Sequence, residues 1–160
     1  DEPEIAVIDE NRDRLLASTQ PAEDIGRLYE AVIPKEYRQS LSQFRTPPDL
    51  AQVMRLWVEE SDNTVVDPGL GAGVLSSPFH PDWRLSTDSA HIIGIDQSQF
   101  ALLMGSTALT LYGQPHELLE TDFFNIPSSD LQQDLDAIVC NPPYTKGDAL
   151  PDWYKERINT

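Results

Sequence analysis

Four polar residues in this sequence each end a short apolar run. The runs read TVVD, HIIGID, HELLETD and DLDAIVCN, and the residues that end them are Asp67, Asp96, Asp122 and Asn141. Carboxylate and amide oxygens at such positions can accept hydrogen bonds from the hydroxyl or amine groups of a ligand. Short apolar runs that alternate with helical patterns predict a parallel sheet with crossovers. The four polar residues should therefore line one crevice, at the carboxyl ends of the strands.

A glycine-rich turn, DPGLGAG (67–73), follows the first run. Gly71 and Gly73 would let the backbone approach a ligand closely, because they carry no Cβ. No Gly-Lys-Ser/Thr follows, which excludes a Walker-type phosphate loop, and Ser76 breaks the G-x-G-x-x-G pattern. Asp96 follows at roughly the 20-residue spacing at which an acid meets ribose hydroxyls in nucleotide-binding folds. Together the turn and the acid indicate a cofactor that contains adenosine.

The last run leads into NPPY (141–144). Two prolines restrict the backbone, so the side chain and carbonyl beside them would be held in place before any ligand arrives. Taken alone, the two prolines could form a plain turn or a polyproline ligand, although the P-x-x-P spacing of such ligands is absent.

Helical patterns surround these segments. PAEDIGRLYEAVI (21–33) and QSQFALLMGSTALTLYG (97–113) have apolar residues at helical spacing, and the latter should stop at Gly113. In FRTPPDLAQVMRLWVEE (44–60), Thr46 is a candidate cap and Pro47 stands at the first turn. We expect an N-terminal helical segment at 1–60 and an α/β domain at 61–160.

Charge is the main bulk feature: 27 acidic residues oppose 11 basic ones, for a net charge of −16. The acids are dispersed and lysine is scarce, which favours a halophilic protein over an ordinary acidic one. One cysteine excludes an internal disulfide, and the three histidines lack ligand spacing, so no metal site is expected. No apolar run reaches the ~20 residues that span a bilayer, and we expect a cytoplasmic protein without membrane contact.

DPGLGAG, GID, ETDFF and NPPY, in this order and spacing, resemble the motifs of S-adenosylmethionine-dependent amino-methyltransferases. Upstream, SQFRTPPDLAQVM (42–54) is similar to the motif that precedes the cofactor loop in N6-adenine DNA methyltransferases of restriction–modification systems. The resemblance covers about residues 25 to 150. It implies a Rossmann-like methyltransferase fold, a mostly parallel sheet with flanking helices. Because about four strands are recognisable, fewer than such domains carry, we expect part of a larger methyltransferase that does not methylate DNA on its own.

The resemblance also implies a cofactor site. It assigns binding of S-adenosylmethionine to Phe44, Thr46, Pro47, Asp67, Gly71, Gly73, Asp96, Asp122 and Phe123. In this assignment the first three close over the methionine end, and the glycine turn lies beneath it with its acid on the side of the sulfonium. Asp96 accepts from the ribose hydroxyls and Asp122 from the adenine amine, with Phe123 near that ring.

For catalysis the resemblance implies Asn141, Pro142, Pro143 and Tyr144. The exocyclic nitrogen of adenine is a poor nucleophile because its lone pair is delocalised into the ring. The Asn141 side-chain oxygen and the Pro142 carbonyl would accept hydrogen bonds from its two N–H groups. This would free the lone pair for attack on the methyl group. Tyr144 would stack on a base extruded from the duplex.

Several positions depart from the family pattern. Arg45 stands where a second aromatic is usual, and Gln97 where an apolar residue packs on adenine; Pro78 and Pro81 should make the first crossover irregular. Cys140 is expected in the core.

The expected partner is DNA, through regions largely outside this chain, and a restriction or specificity subunit is a further candidate. Alternatives are methylation of guanine in ribosomal RNA or of glutamine in release factors, or a non-catalytic remnant; FRTPPDL favours DNA.

Overall fold

The computed structural model describes residues 11–40, 44–58, 64–77, 90–127, 135–142, 152 and 155. Within these ranges four strands form one sheet: β1 (Thr64–Pro68), β2 (His91–Asp96), β3 (His116–Glu120) and β4 (Ala137–Ile138). Each neighbouring pair is parallel, and the order across the sheet is β3-β2-β1-β4. The predicted α/β fold with a parallel sheet is confirmed.

The middle positions of the central strands are mostly apolar because both of their faces are covered. Val65 and Val66 of β1 pair in register with Ile92 and Ile93 of β2, and all four side chains are buried. Parallel sheets with helices on both faces have such continuous apolar runs. The edge strand β4 is more open, and its Ile138 is 53% exposed.

The strand order creates a reversal in the middle of the sheet. From β1 the chain proceeds to β2 and then to β3 on one side, and it returns to place β4 on the other side of β1. In doubly wound sheets, ligands bind outside the carboxyl ends of the strands at this reversal. The turn after β1 and Asn141, which follows β4, therefore face one another across the expected binding crevice.

In the described part of the chain the sheet is accompanied by the helices α1 (Pro21–Val32), α2 (Lys35–Ser40), α3 (Pro48–Val58) and α4 (Gln99–Tyr112), and residues 11–17 are also helical. The Ser98 side chain caps α4 by accepting from the backbone N–H of Ala101, and Gly113 ends it with a φ of 70°. That stop agrees with the sequence prediction. The predicted cap of α3 was wrong: the helix begins at Pro48, and the hydroxyl of Thr46 instead accepts a hydrogen bond from Asn141.

Helix α1 packs against α4. Ala22 and Ile25 of α1 form a buried cluster with Ala108 and Tyr112 of α4. Ala72 of the glycine turn also packs on this cluster, so the N-terminal helix is tied to the turn that follows β1. None of the described helices has the length and apolar character needed to cross a membrane. The crossover predicted to be irregular at Pro78 and Pro81 lies outside the described residues.

Two glycines let Leu70 lock the turn onto the sheet and onto α4. A Cβ at Gly105 would lie 2.4 Å from Leu70 Cδ2 and 3.2 Å from the carbonyl oxygen of Gly71. A Cβ at Gly94 of β2 would lie 2.7 Å from the same Leu70 atom. Leu70 is buried between them, so the position of the glycine turn depends on the missing side chains.

Gly105→Ala tests this packing. Alanine favours a helix over glycine by about 1 kcal/mol, but overpacking of a tight core costs about 1–3 kcal/mol. Because part of the obstruction is backbone, we expect a net loss of about 1–2 kcal/mol in the free energy of unfolding. Urea unfolding followed by circular dichroism measures it, with Leu103→Ala on the exposed face of α4 as the control. A gain in stability would show that Leu70 can move aside at little cost.

Candidate cofactor and acceptor site

A cavity of about 680 Å³ opens at the carboxyl edge of the sheet. It is lined by the glycine turn, by the segments that follow β2, β3 and β4, and by α1 with residues 44–46. Its volume lies within the range of about 300–1,000 Å³ typical of small-molecule sites. The sequence-predicted site residues that line it are Phe44, Thr46, Asp67, Gly71, Asp96, Asp122, Phe123, Asn141 and Pro142.

Two further predicted residues are described but do not line the cavity. Pro47 is exposed, and its carbonyl accepts from the N–H of Ala51 in the first turn of α3. Gly73 is buried, and a Cβ there would lie 3.5 Å from the Cα of Gly105. Their cofactor-binding roles stay predictions. Pro143 and Tyr144 lie outside the described residues.

The glycine turn is held against β2 by backbone hydrogen bonds. The N–H groups of Gly69 and Leu70 both donate to the carbonyl of Ile95, at 2.7 and 3.1 Å. Gly69 and Gly71 have φ angles of 87° and 54°, a left-handed conformation in which a side chain is strained. This curvature places the backbone of the turn on the cavity wall.

Asp96 joins the turn to the start of α4. Its Oδ2 accepts from the N–H of Gly71 at 3.1 Å, and its Oδ1 accepts from the N–H of Ser98 at 2.9 Å. A carboxylate offers about four acceptor positions, so each oxygen keeps capacity for a further donor. A carboxylate fixed in this way can accept from the hydroxyl groups of a ligand without first being reorganised.

Asp122 is positioned by the short 3₁₀ helix Phe123–Asn125. Its Oδ1 accepts from the N–H of Phe124 at 3.0 Å, while its Oδ2 has no hydrogen-bond partner among the described residues. The Phe123 ring packs on the buried side chains of β1 and β2 and meets Phe124 edge-on, with 5.7 Å between ring centroids. An acceptor beside an aromatic face is suited to a planar ring that carries an amine.

Asp67 is the most enclosed acid of the site, at 1% exposure. Its Oδ2 accepts from the Ser76 hydroxyl at 2.6 Å, and its Oδ1 is buried without a partner in the part of the chain described. Burial raises the pKa of Asp67 to about 7; the charge of Asp96 adds to this and the bond from Ser76 opposes it. A cation placed beside Asp67 would favour its ionised form.

The side-chain amide of Asn141 has a defined orientation. Its Nδ2 donates to the carbonyl of Phe44 and to the Oγ1 of Thr46, both at 3.1 Å. A backbone carbonyl can only accept, so the amide nitrogen must face this segment. The amide oxygen is turned away from it and has no partner within the described ranges.

The sequence analysis missed the contribution of the N-terminal helices. Cavity-lining residues that it did not identify include Tyr29 and Glu30 of α1, Arg38 of α2 and, on α4, Phe100. Tyr29 of α1 and Phe100 of α4 lie in ring contact, with centroids 5.7 Å apart. The helical spacing of α1 predicted a helix, but nothing in that pattern shows which site the helix borders.

Cys140 was expected in the core and is instead half-buried on the cavity lining. Burial raises the pKa of its thiol, so the group is uncharged near neutral pH. A protonated thiol is a weak nucleophile. Gln97, where the family pattern favours an apolar residue, is exposed and also borders the cavity.

A parallel sheet of this order, with a glycine turn after β1 and acids after β2 and β3, defines a nucleotide-binding α/β fold. Among solved structures the chain is similar to a Listeria monocytogenes protein assigned to the class I S-adenosylmethionine-dependent methyltransferases. The TM-score is 0.57 at 16% sequence identity, over 89% of this chain and 44% of that chain. This likeness confirms the predicted Rossmann-like methyltransferase fold.

The model of the N-6 DNA Methylase family matches residues 20–158, and the chain belongs to that family. It is also 28% identical over 124 residues to the Type II methyltransferase M.AccI of Acinetobacter calcoaceticus. That alignment takes in 76% of this chain and 22% of M.AccI. The chain thus spans under half the length of either relative.

Asp67→Asn tests whether burial raises the pKa of Asp67, through the pH dependence of the free energy of unfolding. Because the pKa of Asp67 rises from 3.8 to about 7 on folding, its contribution to stability is present below about pH 4 and is lost as pH rises through about 7. Relative to the variant, the wild type should lose about 2–4 kcal/mol of unfolding free energy between pH 4 and pH 8.

Urea unfolding of both proteins across this range measures the difference. Ser76→Ala is the companion variant, which removes the hydroxyl that favours the charged form of Asp67. Its unfolding free energy should therefore fall more between pH 4 and pH 8 than that of the wild type. A constant difference between wild type and Asp67→Asn would mean that Asp67 is ionised throughout.

Proposed function

We propose that this protein transfers a methyl group from S-adenosylmethionine to the exocyclic N6 amine of adenine in DNA. The observation that carries the proposal is the orientation of Asn141, whose amide nitrogen is bound by Phe44 and Thr46 while its oxygen is left to accept. Asn141 lies after β4, across the sheet reversal from the glycine turn. Membership of the N-6 DNA methylase family supports the choice of reaction.

The residues of the cavity fit the proposed cofactor. When bound, S-adenosylmethionine supplies an electrophilic methyl group on a cationic sulfonium. The Oδ1 of Asp67, which is buried and has no partner among the described residues, suits the cationic methionine end, and the remaining acceptor capacity of Asp96 suits ribose hydroxyls. The Oδ2 of Asp122, beside the Phe123 ring, suits the adenine amine. Phe44 and Thr46 border the same cavity near Asn141.

At the acceptor, the proposed role of Asn141 is to accept one N–H of the target amine through its side-chain oxygen. The proposed role of Pro142 is to accept the other N–H through its backbone carbonyl. Two acceptors that are fixed in advance stabilise the charge that develops on the nitrogen, and no reorganisation is needed during the reaction. The expected roles of Pro143 and Tyr144 are to stiffen this loop and to stack on the base.

The target base must leave the duplex to enter such a cavity. The chain carries a net charge of −16, which opposes contact with the phosphate backbone. We therefore propose that DNA is held by a basic surface beyond these residues, in a longer chain or in a specificity subunit. M.AccI, with which this chain aligns, is a Type II methyltransferase.

Titration of S-adenosylmethionine by calorimetry in molar salt tests the cofactor site. Asp96→Ala should weaken binding about 10- to 100-fold, since hydrogen bonds to a charged group contribute about 1.5–3 kcal/mol. Asn141→Ala should change the affinity by less than about 3-fold, because its proposed role concerns the acceptor. Glu117→Ala, on an exposed strand position outside the cavity, controls for the lost charge. A folded Asp96→Ala variant with unaltered affinity would contradict the assignment.

A second experiment identifies the acceptor. In a longer chain that contains these residues, labelled methyl transfer should appear on adenine-containing DNA, and Asn141→Ala should lower the transfer rate about 100-fold or more while the cofactor still binds. Ribosomal RNA and a release factor are tested in parallel. Transfer to either of these, and none to DNA, would replace the proposed substrate.

A further inference from the structure

Asn141 is held by a segment that lies far from it in sequence. Phe44 precedes it by 97 residues and Thr46 by 95, yet each accepts a hydrogen bond from its Nδ2. Both N–H bonds of an amide nitrogen can be used in this way. The contact therefore fixes which face of the amide is the donor and which is the acceptor.

Thr46 is placed so that it cannot easily move. The residue is 6% exposed, and its hydroxyl accepts from Asn141. In the described part of the chain no acceptor receives the hydroxyl hydrogen of Thr46. Its one role in hydrogen bonding within this part of the chain is therefore to accept from the Asn141 amide.

Arg45, which lies between Phe44 and Thr46, anchors their segment to α1. Its Nη1 pairs with the Oε1 of Glu23, and its Nε pairs with the Oε2 of Glu30 at 3.2 Å. The Glu23 side chain is only 8% exposed, and that of Arg45 is 24% exposed. An arginine that bridges two carboxylates with little exposure is held far more firmly than a surface ion pair.

The stem of Arg45 crosses α1 at a glycine. A Cβ at Gly26 would lie 2.8 Å from the Cδ of Arg45, so α1 and Arg45 are in close contact there. On the far side, Arg38 pairs with the Oε1 of Glu30 at 3.3 Å. The segment that orients Asn141 is thus fastened to α1 by ion pairs and by packing.

We propose that Thr46 is a positioning residue for methyl transfer: with the Phe44 carbonyl it sets the orientation of the Asn141 amide, and Arg45 ties both residues to α1. This inference rests on the proposed function, in which the amide oxygen of Asn141 accepts from the target amine. Without the Thr46 hydroxyl, one amide N–H loses its acceptor and the side chain rotates more freely. A rotated amide presents a donor to the target amine, which also donates.

The test compares Thr46→Val, which keeps the shape and removes the hydroxyl, with Thr46→Ser, which keeps the hydroxyl. Single-turnover methyl transfer to adenine-containing DNA by a longer chain that contains these residues gives the rate, and calorimetry gives the affinity for S-adenosylmethionine. Thr46→Val should slow transfer about 10-fold or more at saturating cofactor, with the cofactor dissociation constant changed less than about 3-fold. Thr46→Ser should restore the rate to within about 3-fold of the wild type.

A second readout does not depend on any acceptor. The side-chain amide resonances of Asn141 can be assigned in ¹H–¹⁵N spectra by their loss in Asn141→Asp. In the wild type both N–H groups should exchange slowly with solvent, and Thr46→Val should speed the exchange of one of them. If the spectrum changes and the longer chain methylates no acceptor, the contact is supported and the proposed function is overturned.

The opposite results overturn the inference. Unchanged amide exchange in Thr46→Val would mean that Thr46 does not orient Asn141. A lower cofactor affinity with an unchanged rate at saturation would make Thr46 a cofactor residue only. Arg45→Lys should slow transfer about 3- to 10-fold, whereas Arg27→Lys, which alters the exposed partner of Glu23, should not. Equal effects of these two variants would remove Arg45 from the proposal.

Discussion

The pairing of β1 with β2 on one side and with β4 on the other is the constraint on which the site depends. It brings the carboxyl ends of three strands to one edge, and the chain leaves each strand with a different functional group. The turn after β1 curves back onto Ile95 of β2, and Asp96 then bonds to that turn. Asn141 follows β4 on the other side of β1. A shift of register in either pairing would separate these groups.

The packing behind the edge converts this layout into a cavity. Leu70 occupies the space left by the missing side chains of Gly94 and Gly105, so that α4 lies close to the turn. Helix α1 packs on α4 and also carries the acids that hold Arg45. The cavity wall that the N-terminal helix provides is therefore fixed by the same helix pair that seats the glycine turn.

Much of the fold and of the strand-end chemistry was predictable from the sequence. Apolar runs that end in Asp67, Asp96, Asp122 or Asn141 are local signals, and the parallel topology follows from their alternation with helices. The contacts of Thr46 and Arg45 were not predictable in this way. Thr46 carries a good local signal for a helix cap, but a partner 95 residues away takes its hydroxyl. Arg45 meets acids 15 and 22 residues earlier, a spacing that no helical or strand period marks.

The exposed position of β4 bears on whether copies of the chain associate. This strand is two residues long and pairs with β1, and Ile138 stands half-exposed at its side. Among the described residues no strand pairs with the other side of β4, and such an edge can offer unpaired backbone groups to a strand of another molecule. A charge of −16 keeps copies of the chain apart at low ionic strength, and dense salt screens that repulsion. Any association of copies through the β4 edge would thus depend on ionic strength as well as on strand pairing.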